Sequence, residues 1–414
     1  MTAFPPHIAT EFLRGTLAHD EQGLDIIESG ADRILAETGL RFEGDPETLD
    51  LWRQHGATVR DDRVFLDGAW LRQVIRASAP RSFRLRGRNP ARDTMIGAGH
   101  APVFTPVYGA PHVIDEDGRR SLGSRALYRQ LLQASHAAPA IANTGQMICV
   151  MDDVPEPRRP LDMALLHLTL SDKPFMGSIA SPEAARMVIE ATVEAVGRPP
   201  RSGEVELLHL INATPPLGYK ENPLKCLRAI AFAGQASLVT SYMMLGATGP
   251  VTVAGALIQG YAEVLAGLAL AQLWRPGAPV MMGLYAIPFD MRAMLPRYGD
   301  PASHLLQQYT VQLGRRLGVP VRGEGGVTCA KTDDAQSGAE SASTVAASLS
   351  AGADFILHGM GWLEQGRCVS LPKLRREAAA IAESCGLGAE PCAPPLPPDP
   401  AFERDMATRI AALR

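Results

Sequence analysis

Apolar and polar positions change rhythm along this chain at about residue 100. From about Phe12 to Arg60 apolar residues, among them Ile26, Ile27, Ile34 and Leu35, recur at three- and four-residue steps, which predicts a helical front end. Asp62 to Leu66 and Ser82 to Leu85 read as short strands, separated by a helix near Ala69 to Ala77 whose end Pro80 marks. Residues 1 to about 100 are thus expected to form a cap ahead of the main domain. After Gly99, apolar runs alternate with helical stretches, the pattern of stacked βα units. Eight strands are assigned: Val103 to Tyr108, Ile141 to Ile148, Pro174 to Ile179, Leu207 to Ala213, Ser237 to Leu245, Val280 to Tyr285, Pro320 to Gly323 and Phe355 to Gly359. Val251 to Leu273 is the clearest helix, and Pro301 to Leu317 ends in Gly318. Near-continuous apolar strands and no dinucleotide fingerprint predict an α/β fold, a closed (β/α)8 TIM barrel over residues 101–386. Residues 387–414 carry APPLPPDP and one weak helical stretch, and read as a proline-rich arm.

Composition narrows the class. The chain is 46% apolar and 20% charged with a net charge of −4, which argues against a nucleic-acid or membrane surface. No secretory pattern opens it and the six cysteines form no CxxC pair, so a cytoplasmic protein with reduced thiols is expected. No motif of closely spaced metal ligands, GxGxxG, GxxxxGK[ST] or GxSxG occurs, so neither a bound metal nor a nucleotide is expected. A homo-oligomer is expected for a soluble barrel of this size.

In such a barrel, chemistry sits at the ends of the strands and in the loops that follow. Those positions hold Tyr108, Asn143, Gln146, Asn212, Tyr242, Tyr285, Glu324 and His358, with His112, Ser178, Thr214, Phe289, Thr328, Cys329 and Trp362 beside them. This is a polar set rimmed by aromatics, suited to a methylated ammonium ion, whose charge is attracted by aromatic faces. Ordinary packing is the alternative for each aromatic, backbone satisfaction for each amide, and a carbonyl-bonded core ring for His358. Cys329 is either a thiol activated by a helix start or a small packing residue. Around VRGEGGVTCAKTDD, Glu324 leaves a buried strand and Lys331 lies with Asp333 and Asp334 at a helix start, so a carboxylate and an ammonium are candidates to face one pocket.

Several stretches resemble the trimethylamine:corrinoid methyltransferases. These are ILAETGLRF, SFRLRGRNP, INATPPL, MMLGATGPVTVAGALIQGYAEVLAGLALAQL, RPGAPVMMGLY, GGVTCAKTDDAQSGAES and GADFILHGMGWLEQG, spread from Ile34 to Leu371. The resemblance implies a barrel that moves a methyl group from an amine nitrogen to the cobalt of a corrinoid (cobalamin) presented by a separate protein. Archaeal trimethylamine enzymes carry pyrrolysine just before their version of TCAK, and the matching position here is Val327. A pyrrolysine-free relative is associated with quaternary amines such as glycine betaine. On that footing Glu324 and His358 are the catalytic candidates. Tyr108, Tyr242 and Tyr285 would cradle the ammonium, Asn143, Gln146, Asn212 or His358 would take a carboxylate, and Val327 would lie against the substrate. Two readings from other classes stay open: a non-catalytic barrel that binds methylammonium compounds, and a barrel enzyme using Glu324, Lys331 or His358 in acid-base chemistry.

Overall fold

A computed structural model of the protein describes residues 20–388 and 390–413. Alternating strands and helices fill the chain from residue 103 onward. The strands Phe175–Gly177, Leu207–Asn212, Ala236–Leu245 and Val280–Asp290 lie side by side in parallel. Arg322–Glu324, Phe355–Leu357 and Val103–Phe104 form a second parallel set. A bridge from Met282 to Val321 links the two sets, and on the far side of the second set Phe104 bridges to Ile141. Beyond Ile141, the Thr144 amide donates to Pro174 O and the Met176 amide to Gly145 O.

The strand ends depart from expectation where local chemistry breaks the ladder. Pro106 interrupts the first strand, which covers only Val103–Phe104. Ile141 to Ile148 is not a continuous strand, because the chain turns at Gly145, whose φ is 77°. Phe355–Leu357 stops at His358, which adopts φ 62°, a left-handed conformation uncommon for a residue with a side chain. Gly325 is required nearby, since a Cβ there would fall 2.1 Å from the His358 carbonyl oxygen.

Side-chain alternation sorts the strands into two faces. Leu208, Leu210, Leu238, Met281, Phe355 and Leu357 pack together on the inner face. Phe83, Leu85 and Ile96 of the N-terminal region join that cluster and close one end of it. Leu207, Ile211, Val239 and Met243 face outward into the helices. Chief among these is Val253–Trp274, capped by the Thr252 side chain and apolar enough to cross a membrane by length and composition, but with 78% of its most apolar window buried inside the protein. Its buried Glu263 accepts from Leu217 N and Ser241 Oγ, which anchors the loop after Asn212.

The front end is less helical than its periodicity predicts. Helix Glu21–Arg33 is followed by strand Leu40–Phe42, helix Pro46–Gln54 and a hairpin of Thr58–Arg60 with Arg63–Phe65. Residues 1–19, part of the predicted helical stretch, lie outside the described residues. At the other end, the proline-rich segment is bonded down: Leu396 N donates to Asp172 and Arg88 donates to Leu396 O. The final helix Pro400–Ala412 buries Phe402 and Met406.

Candidate functional site

At the carboxyl ends of the strands lies a cavity of about 470 Å³. Inner-face positions of successive strands build its wall: Leu210 and Asn212, then Thr240 and Tyr242, then Tyr285, then Arg322. Tyr242 and Tyr285 are register partners on neighbouring parallel strands, so their rings meet, 5.4 Å between centroids. Tyr285 in turn stacks on His358 at 6.0 Å, and His358 meets the edge of Trp362 at 4.7 Å. Tyr298 completes the run against Trp362 at 5.4 Å. Tyr108 closes the other side, edge-on to His358 at 6.4 Å.

His358 is held in one protonation state. The Tyr108 amide donates to its Nδ1 at 3.2 Å, so Nδ1 is the acceptor and Nε2 carries the proton. Burial pushes its pKa well below the usual range, and the nearby Arg322 charge adds to this. It is a neutral ring at physiological pH.

Arg322 and Glu324 alternate along one short strand and are both buried. The Arg322 guanidinium carbon stands 4.3 Å from the Tyr285 ring centroid. Burial raises the Glu324 carboxyl to about 7, against the opposing pull of Arg322 and of the Tyr285 hydroxyl. Among the described residues, Glu324 Oε1 and the Tyr285 hydroxyl have no partner in hydrogen-bonding geometry, although they lie close enough to influence each other's ionisation.

The structure brings Tyr108, Asn212, Tyr242, Tyr285 and His358 together around the cavity. Glu324 sits behind its aromatic wall, where its charge is felt by Tyr242, Tyr285 and Tyr298. Asn143 and Gln146 do not line it. Asn143 Oδ1 accepts from Gly145 N, and Gln146 Oε1 accepts from the Tyr108 hydroxyl, so Gln146 orients a wall residue instead. Val327 is also away from the cavity surface, fully buried in the apolar cluster behind Tyr285, Tyr298 and Trp362.

Two expectations near this strand fail. Lys331 is exposed while Glu324 is buried, so they do not share a pocket. Cys329 does not start a helix: helix Ala335–Ala351 begins later, capped by Asp334. Its thiol is raised by burial and accepts from Tyr298 N at 3.1 Å, which props the Tyr298 loop. Tyr298, Thr240, Gln365 and Arg322 are cavity residues that sequence reasoning passed over. Only Arg322 carried a signal, two charged residues two apart on an otherwise apolar strand, hence on one face.

Comparison with known proteins identifies the family. The family model described as trimethylamine methyltransferase (MTTB) matches residues 6–386. A glycine betaine methyltransferase of Desulfitobacterium hafniense (strain Y51) is 36% identical over 354 residues, 85% of this chain and 73% of the relative. A proline betaine:corrinoid methyltransferase of Eubacterium limosum is 27% identical over 82% of this chain and 71% of the relative. The crystal structure of the Methanosarcina barkeri monomethylamine methyltransferase (MtmB) aligns over 100% of this chain and 99% of that one, with 10% identity and a TM-score of 0.47. The match across nearly the whole chain places it in the trimethylamine methyltransferase (MTTB) family.

Proposed function

We propose that the chain is a corrinoid-dependent methyltransferase that takes a methyl group from a quaternary or tertiary methylamine, glycine betaine foremost, and delivers it to Co(I) of a corrinoid carried by a partner protein. The observation that carries this is the cavity walled by Tyr108, Tyr242, Tyr298, His358 and Trp362. Aromatic faces favour a methylated ammonium by roughly 0.5–2 kcal/mol per good contact when desolvated. The relatives named for glycine betaine and proline betaine support the same substrate class.

The chain's residues act by placement. A quaternary nitrogen leaves as a neutral amine, keeping the electron pair of the broken C–N bond, so no acid is needed at that step. Aromatic rings hold the ammonium, and neutral His358 keeps Nε2–H available without adding a positive charge. Glu324 lies behind the rings with its carboxyl raised to about 7 by burial, against the pull of Arg322 and the Tyr285 hydroxyl. The corrinoid, when presented, supplies the nucleophile that accepts the methyl carbon. The cavity suits a small amine and not a macrocycle, so the corrinoid has to be met at the mouth. Tyr242 lines the cavity and is half-exposed, while Val251, Met291 and Met294 are exposed in the segments that follow strands Ala236–Leu245 and Val280–Asp290, apolar side chains suited to a protein partner.

The raised pKa of Glu324 favours a second reading, an acid-base enzyme on the same scaffold. Product analysis separates the two. Glycine betaine should yield dimethylglycine only when the reduced corrinoid protein is present, whereas conversion without corrinoid would replace this reading with the second.

The strand pairings and bridges, taken in sequence, support a ring of eight segments closed as a (β/α)8 barrel, with residues 20–100 as its cap. A cytoplasmic homo-oligomer is part of the same proposal.

A further inference from the structure

Arg322 breaks a rule that the other buried guanidinium groups in this chain obey. Arg86 is 2% exposed and donates to Glu206 and to Arg198 O. Arg72, 8% exposed, forms a two-pronged pair with Asp32. Arg322 is 2% exposed, yet among the described residues its guanidinium makes no hydrogen bond and no ion pair, and its Nε is buried without a partner. Glu324 on the same strand does not pair with it, and the Tyr285 ring beneath it offers only a π face. An unpaired buried charge is costly. A fold retains one where something else completes it.

What would complete it is legible from the surroundings. Arg322 lines the cavity, and so do Thr240 and Tyr285, whose hydroxyls also have no partner among the described residues. A guanidinium and two unpartnered hydroxyls lining one cavity offer a seat for a carboxylate, which accepts two parallel bonds from arginine. Tyr242, 39% exposed, lies farther out along the wall, so the deep end is cationic and the outer end aromatic. Resting on the amine-site reading above, we propose that Arg322 binds the carboxylate of a zwitterionic betaine, selecting methylated ammonium compounds that carry an anion over simple methylamines. The ammonium end then lies among the rings, with its methyl groups toward the mouth. This assigns to Arg322 the carboxylate contact expected of Asn143, Gln146, Asn212 or His358.

The test is calorimetric binding to the full chain, without corrinoid, of glycine betaine, its methyl ester and choline, using wild type, Arg322→Gln and Arg322→Lys. Charge-assisted bonds predict that wild type prefers glycine betaine over the ester by roughly 10- to 100-fold. Arg322→Gln should bring that ratio toward one while the ester still binds, and Arg322→Lys should keep part of it. Equal binding of betaine and ester by wild type overturns the proposal, as does a preserved ratio in Arg322→Gln. If Arg322→Gln fails to fold, the wild-type ratio alone decides. Failure of wild type to bind any of the three overturns the amine-site reading as well.

Discussion

The Arg322 guanidinium covers one face of the Tyr285 ring at 4.3 Å, so that face is already occupied by the protein's own cation. Tyr285 is 5% exposed and packed between Tyr242 and His358, which makes it a support for the site rather than a free wall. Tyr242 has the opposite character, 39% exposed at the rim. Tyr242→Ala should therefore weaken quaternary-amine binding by roughly 0.5–2 kcal/mol with an unchanged melting temperature. Tyr285→Ala should destabilise the fold by about 3–5 kcal/mol. Calorimetry with thermal melts checks both, and a stable Tyr285→Ala protein would show that the ring is not structural.

Glu324 makes stability depend on pH. Its folded pKa of about 7 lies above its ordinary value of 4.5, so its contribution is fully present below 4.5 and is lost as pH rises through 7. Between pH 5 and 8, wild type should lose stability relative to Glu324→Gln, on the order of 3 kcal/mol. Denaturant titrations at several pH values measure this, and parallel pH profiles for the two proteins would contradict it.

His358 should remain neutral, with its proton on Nε2, because burial and Arg322 disfavour the imidazolium and the Tyr108 amide occupies Nδ1. Nitrogen-15 spectra of labelled histidine should show no titration of this ring from pH 5.5 to 8. A midpoint inside that window would mean that the ring is solvated and free to act as an acid.

How much of this the sequence carried depends on the kind of signal each residue gives. The strand cores were legible because Leu207, Leu208, Leu210 and Ile211, like Leu238 and Val239, put apolar side chains on both faces, one toward the inner cluster and the other toward the helices. Of the N-terminal hairpin, Arg63–Phe65 was read as a strand but Thr58–Arg60 was absorbed into the helical front end, being three residues long and too short to set a period of its own. Tyr108, Tyr242 and Tyr285 stood out as strand-end aromatics. Tyr298 did not, because it reaches the cavity from a loop after Leu295–Pro296, held by Cys329 rather than by any ladder. Arg322 was hidden by the habit of reading a charged residue as exposed.

Val251, Met291 and Met294 are 74%, 66% and 68% exposed in the segments that follow strands Ala236–Leu245 and Val280–Asp290, and on the proposed reading contact with a corrinoid protein would cover them. Met291→Asp with Met294→Asp should raise KM for the corrinoid protein several-fold, leaving glycine betaine affinity unchanged. Loss of betaine affinity in this double variant would place the side chains in the site instead of at its rim.

The central claim is methyl transfer from a quaternary amine. Its most direct measurement is a single turnover of the protein with the reduced corrinoid, following the methylated corrinoid by absorbance, with glycine betaine and trimethylamine supplied separately. Rapid methylation of the corrinoid by glycine betaine and little or none by trimethylamine is the predicted result. Methylation by trimethylamine alone would overturn the quaternary-amine assignment, and methylation by neither compound while betaine binds would contradict the account.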